Sequence, residues 1–312
     1  MNNTRSLLID LMFSMPLDSP RPKRARCRSP QHALLLPALV LVLSGLGLPQ
    51  AHAREGVDVG NNSAFSRLVP ADSVERSAAQ QYAQMLQQAG SKNALAGKEQ
   101  AQLKRLRAIA QRIIPFAAAW NPRAKDWRWE VNLIGSQQIN AFCMPGGKIA
   151  FYSGILQQLK LTDDEVAMVM GHEIAHALRE HARERMGKSA VTQGAARIGG
   201  AVAAGVLGVD PRLTDGLARG GANLLTLEFS REDESEADLV GMELAARAGY
   251  DPRSGVSLWQ KMGAASKGAP PQWLSTHPSG KSRTALIEKN LPKVMPFYER
   301  ASKDRPSSSG GW

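Results

Sequence analysis

The feature that most restricts this chain is a short run near its middle, His172-Glu173-Ile174-Ala175-His176. Upstream stands Thr162-Asp163-Asp164-Glu165. That is the pattern of a capping box, in which the Thr hydroxyl accepts from the first helical turn and the Glu reaches back. The cap predicts a helix from 163 to about 185 with the run in its interior. In a helix, residues four apart share a face, so both imidazoles can bind one ion. Glu173 lies about 100° around from His172. It misses the ion and still reaches a water bound to it. Zinc lowers the pKa of such a water, and the carboxylate takes its proton as it attacks a carbonyl. Met170, Ile174 and Leu178 fall on the other side and can face a core. A surface helix with scattered histidines would account less well for the cap and for the strands before it.

Such a site needs a third ligand. Positions 179 and 182 are Arg and Ala, so the His-rich extension of the motif is missing. In a continuous helix His181 stands about 180° from His172, which predicts a solvated or partly packed side chain. His277 or a carboxylate remains. A second capped segment, from Ser230 to about Ala248, offers Glu232, Asp233, Glu234, Glu236 and Asp238. Helical phase sorts them. Glu234 and Asp238 share a face with Gly241, Met242 and Ala245, while Glu232, Glu236, Glu243 and Arg247 form a solvated face. An inward acid pair without a partner is costly. Glu234 as zinc ligand, with Asp238 accepting from the far nitrogen of a ligand His, removes that cost.

The start of the chain reads as a leader. Basic residues from Arg21 to Arg28 precede an apolar run, Ala33 to Leu48, and then Ala51-His52-Ala53. This is the order of a cleavable secretory signal, cut near Ala53. The apolar run is about 16 residues, short for a membrane span. The whole chain carries 39 basic and 28 acidic side chains; the first 53 residues hold six and two of them, which leaves +7. That mild excess suits peripheral contact with an anionic surface or acidic clients. The clustered Lys/Arg with interleaved aromatics of a nucleic-acid reader is not found. Cys143 alone follows the leader, which excludes an intramolecular disulfide and Cys-based zinc.

After an extended arm over 54–74, the pattern predicts helices near 72–89 and 95–118. Trp127–Ile134, Gln138–Met144 and Lys148–Ser153 have strand character, with Met144-Pro145-Gly146-Gly147 as a type II turn. The fold class is therefore α+β: mostly helical, with a small antiparallel sheet beside the HExxH helix. Helices near 253–266 and 279–290 and a flexible tail over 301–312 complete the domain, which spans 75–300. The Gly/Ala-rich stretch 194–221 reads as a loosely packed helix pair over the cleft, or as a membrane-dipping helix over 190–209.

His172-Glu173-x-x-His176 followed by Glu234-Ser235-Glu236-Ala237-Asp238 resembles the HtpX-like/CAAX-prenyl-protease family of zinc metallopeptidases, in its secreted branch of Oma-like and YggG/LoiP-like enzymes. Asn140 to Ile155 is similar to that branch's strand-turn-strand, and Ser275-Thr276-His277-Pro278 with Arg283 to its C-terminal signature. The resemblance implies a gluzincin fold, one zinc per chain and endopeptidase activity on misfolded or membrane-associated proteins. Periplasmic quality control, with unfolded or misassembled envelope proteins as substrates and outer-membrane assembly machinery as a partner, follows from it. HtpX-like members have transmembrane helices, and this sequence shows no clean one after its leader.

The strand Asn140-Ala141-Phe142 then has two readings: the strand beside which substrate adds as a further strand, with Asn140 holding its backbone, or a plain sheet strand with Phe142 in the core. His277 has three readings: a capping residue, a donor to the oxyanion, or a gate in zinc's fourth position. The resemblance favours the gate. The rival to a protease is a zinc-containing chaperone or adaptor, against which the intact Glu173 speaks, since a structural site needs no base.

Overall fold

The computed structural model describes residues 55–198, 223–266, 271–277 and 281–304. The leader over 1–53, most of 194–221 and most of the tail over 301–312 lie outside the described residues. No described helix is long and apolar enough to cross a membrane.

The arm is less extended than its composition suggests. Val57 is buried, Ala64–Leu68 forms a 3-10 turn capped by Ser63, and α1 (Ala71–Ser91) begins at once. Leu95 bridges to Ile134, so the next helix, α2 (Ala101–Ile113), starts later than propensity alone indicates. Gln100 caps it by accepting from Leu103 N–H at 2.7 Å.

Three short strands follow: β1 (Glu130–Ile134), β2 (Ala141–Met144) and β3 (Lys148–Tyr152). β3 is central, with β2 antiparallel on one side and β1 parallel on the other. The sheet is mixed, and only its β2–β3 half matches the antiparallel expectation. After β1 the chain crosses to the far edge, and the hairpin returns β3 into the middle. Gly154 N–H donates to Ser136 O at 2.7 Å beneath that crossing. A Cβ on Gly154 would stand 2.4 Å from Gln137 O, so the crossing needs the glycine. In the β2–β3 turn Gly146 has φ +82°, as a type II turn requires.

Beyond the sheet lie α3 (Ser153–Gln158), α4 (Asp163–Leu178) and α5 (His181–Ile198), then α6 (Arg231–Arg247), α7 (Ser254–Ala265), α8 (Gln272–Thr276) and α9 (Lys281–Ala301). The expected capping box of Thr162 with Glu165 forms, and the expected cap at Ser230 proves to be a capping box with Asp233. α4 is the axis of the domain. Every residue from Glu165 to Leu178 is buried, because β2, α2, α6 and α7 all pack on it. A helix enclosed on all sides can keep polar groups only where they find partners.

α4 and α6 cross backbone to backbone. A Cβ on Gly241 would lie 2.5 Å from His172 N, and one on Gly171 would lie 2.5 Å from Gly241 O. The small face read from the sequence of α6 is this contact.

Three expectations need correction. The helix through the HExxH run ends at Leu178 rather than near 185. Glu180 takes φ +60°, and α5 starts at His181 in a new direction. Glu243, placed by phase on a solvated face, is fully buried: it accepts from Val57 N–H at 2.9 Å and from Arg247 Nε at 2.8 Å. The arm covers that side of α6, which periodicity within α6 cannot reveal. Finally, α9 runs through Pro292 and Pro296, past the expected end at 290. Buried Val294 and Phe297 hold its second half, and the Arg247 guanidinium sits 3.7 Å from the Phe297 ring centroid. Packing outweighs the hydrogen bonds that two prolines remove.

Candidate metal centre

α4 supplies His172 and His176 one turn apart, and their Nε2 atoms lie 3.1 Å from each other. α6 crosses at the glycine contact and brings Glu234 against both, at 3.6 Å from His172 Nε2 and 3.4 Å from His176 Nε2. His277, which ends α8, completes a buried group of four whose ligand atoms all lie within 4.8 Å of one another. The structure thus brings together four residues singled out from sequence.

Two buried polar atoms of this group, Glu234 Oε1 and His277 Nε2, have no hydrogen-bond partner. Buried polar atoms are ordinarily satisfied. Burial lowers His172 to about 4, against the pull of Asp238, and holds His176 and His277 well below the usual histidine range. It pushes the Glu234 carboxyl up to about 9, while Arg283 opposes the rise. Neutral imidazoles with lone pairs turned inward, around a carboxylate that lacks enough positive charge, form a donor set that suits a divalent cation such as zinc. The donors fit the metal; the structure does not identify the ion.

Glu173 lies beside this group rather than in it, as its phase predicts. Trp273 Nε1 donates to its Oε1 at 2.6 Å, and His277 Nε2 is 3.7 Å from its Oε2. Burial pushes the Glu173 carboxyl up to about 8, although Trp273 lowers it. A carboxyl in that range can take and return a proton near neutral pH.

Asp238 is 3.2 Å from His172 Nδ1. Arg283 donates to both Asp238 oxygens, at 2.6 and 2.7 Å, and to Glu234 Oε2. Burial alone would raise Asp238; the guanidinium outweighs it and holds the carboxyl below its usual range. Sequence reading found the inward acid pair and missed the cation that joins it. Arg283 entered only as part of a C-terminal motif, though a buried acid pair is itself a signal that a base must be near.

Two further residues reach the site: His181, expected to point away from it as a solvated or partly packed side chain, and Phe229, which sequence reading did not single out. His181 is 1 % exposed and lies with its Nδ1 2.9 Å from His176 Nδ1. The left-handed step at Glu180 turns it back toward the site. Phe229 stacks on the His176 ring, centroids 3.9 Å apart.

β2 is an edge strand, and its outer side borders a cleft that reaches Glu173, His176 and His277. Asn140, Ala141 and Phe142 line it. The apolar side chains of Leu225, Leu227 and Phe229 line it too. Cys143 is a buried free thiol on the same strand.

A model of peptidase family M48 matches residues 99–291, a span that contains all four clustered side chains. The chain belongs to peptidase family M48. Among curated relatives of this M48 chain, the mitochondrial metalloendopeptidase OMA1 of Arabidopsis thaliana is 40 % identical over 186 residues, 58 % of this chain and 36 % of that protein. The OMA1 of Saccharomyces cerevisiae is 31 % identical over 185 residues, 56 % of this chain and 50 % of that protein. The beta-barrel assembly-enhancing protease of Escherichia coli is 30 % identical over 180 residues, 55 % of this chain and 36 % of that protein. The M48 chain therefore spans a third to a half of the length of the curated relatives it matches.

Proposed function

We propose that this chain is a zinc metalloendopeptidase that cuts unfolded or misassembled envelope proteins, with His172, His176 and Glu234 as ligands and Glu173 as general base. One observation carries the reading: two imidazole nitrogens and a carboxylate converge beside an ionisable Glu173 and next to β2, an edge strand among the described residues. The names of the relatives support the activity. The secretory pattern read from the first 53 residues supports a periplasmic site, and the E. coli relative's name supports work near beta-barrel assembly.

Zinc bound there would supply Lewis acidity to the attacking water and to the scissile carbonyl. The chain's own residues do the rest. The outer edge of β2 aligns substrate as an added strand, and Asn140, Ala141 and Phe142 contact it. Glu173 takes a proton from the attacking water and delivers it to the leaving amine. Asp238, fixed by Arg283, keeps His172 in the tautomer that presents Nε2.

His277 acts as a gate on this reading. Trp273 O, which can only accept, lies 3.1 Å from His277 Nδ1, so the ring proton belongs on Nδ1. The inward Nε2 then carries a lone pair. It can occupy a coordination position and cannot donate to an oxyanion.

Unfolded casein, incubated with the purified full chain with and without chelator, tests the reading. Zinc-dependent internal cleavage is expected, and Glu173→Gln should keep zinc while losing at least ~10²-fold in rate. A zinc-replete protein that never cleaves would turn the reading toward the chaperone or adaptor alternative.

A further inference from the structure

The two ligand imidazoles are supported in different ways. His172 rests on a carboxylate, Asp238. Among the described residues His176 has no carboxylate at its far nitrogen; it faces another imidazole, His181, across 2.9 Å between Nδ1 atoms. Two nitrogens at that distance share one proton. Which ring owns it is decided one step further out. His181 Nε2 lies 3.3 Å from Glu236 Oε2, and an ionised carboxylate only accepts. His181 therefore donates from Nε2, and its Nδ1 is left as an acceptor. The shared proton belongs to His176 Nδ1, which frees His176 Nε2 for the metal. Glu236 is held in turn by Arg179 Nε at 2.8 Å, and Arg179 also donates to Gly60 O at 3.2 Å.

We propose that His181 is a positioning residue, the end of a relay from Arg179 through Glu236 that fixes the tautomer and ring plane of His176. Nothing about His181 is solvated, and its position after a break in the helix is what makes the relay geometrically open. The consequence for metal affinity rests on the reading of His176 as a zinc ligand, but the tautomer itself belongs to the metal-free protein.

The experiment has two arms. In the metal-free, 15N-histidine-labelled full chain, long-range proton–nitrogen spectra report which ring nitrogen carries hydrogen. The expected pattern is His176 protonated on Nδ1 and His181 on Nε2. Hydrogen on His176 Nε2 would overturn the proposal, whatever any variant does. The second arm measures zinc affinity by competition with a chromophoric chelator. His181→Leu is expected to weaken binding by ~10–100-fold. His181→Asn, whose amide oxygen can accept where Nδ1 does, should recover most of that. Equal loss in both variants would mean that His181 only fills space, and unchanged affinity in His181→Leu would also sink the idea. If His181→Leu does not fold, His181→Asn and the tautomer spectra still decide. A wild-type chain that binds no zinc would instead remove the functional reading, and the tautomer arm would stand on its own.

Discussion

The floor of the site, where α4 crosses α6, and its roof, α8 with the terminal His277, are held by different kinds of contact. The floor is backbone against backbone at Gly171 and Gly241, with His172, His176 and Glu234 buried on the two helices. The roof is five residues long. It hangs on Trp273 N–H to Ile139 O at 3.1 Å, Phe229 N–H to Thr276 O at 3.1 Å, and the Trp273 side chain against Glu173. Each such hydrogen bond contributes about 1 kcal/mol net. The difference assigns the jobs. The floor sets the spacing of His172, His176 and Glu234, whereas the roof is anchored chiefly by one buried side chain, Trp273 packed against Trp259, and is the part that the proposed gate would have to move.

Breaking the floor should have the largest effects. Glu234→Ala takes away a proposed ligand and is expected to bring casein cleavage below detection at ordinary zinc, whereas Glu236→Ala should leave measurable activity. Gly241→Val forces α4 and α6 apart; a stability loss of about 3 kcal/mol is expected, read as a lowered Tm of the metal-free chain together with lost zinc binding. A variant with normal Tm and normal zinc would show that the crossing does not set the site.

The roof should respond with the opposite sign. His277→Ala leaves His172, His176 and Glu234 in place, and basal casein cleavage is expected to rise. If His277 were an oxyanion donor, the same change would slow cleavage by ~10²-fold or more. A slower, zinc-replete variant would therefore refute the gate.

The smallest effect lies away from the metal, at the start of α4. Burial alone would raise the Glu165 carboxyl, but Lys261 Nζ at 2.6 Å, Thr162 N–H at 2.9 Å and Ser257 Oγ at 2.7 Å outweigh it and hold it below its usual value of 4.5. A depressed folded-state pKa gives stability that is present above the unfolded value and lost as pH falls through the folded one. Stability should therefore decline below about pH 4.5, and Glu165→Gln should lose about 1 kcal/mol at pH 7 and flatten that acid limb. An unchanged pH slope in chemical denaturation would assign the acid sensitivity elsewhere.

Much of the floor was legible because it is local. Helix caps, a four-residue spacing and the small face of α6 are all periodic signals within one helix. What escaped depends on partners distant in sequence or on a single backbone angle. Glu243 is buried by residues near Val57, and the acid pair is joined by Arg283 from another helix. His181 was misplaced because phase was carried through Glu180, whose left-handed φ ends the helix. Parallel pairing of β1 with β3 likewise depends on a chain crossing that alternation within a strand does not encode. The prolines of α9 marked an end that tertiary packing overrode.

The glycine crossing also has a mechanical consequence. Where two helix backbones touch, no side chain can change rotamer to absorb a load and no void is left to collapse. Pressure acts on a folded protein chiefly through its internal voids. The spacing of His172, His176 and Glu234 should accordingly be among the least compressible distances in the molecule. Compression would reach the cleft beneath α8 first, and a moderate hydrostatic load would change access to the site well before it changed the site.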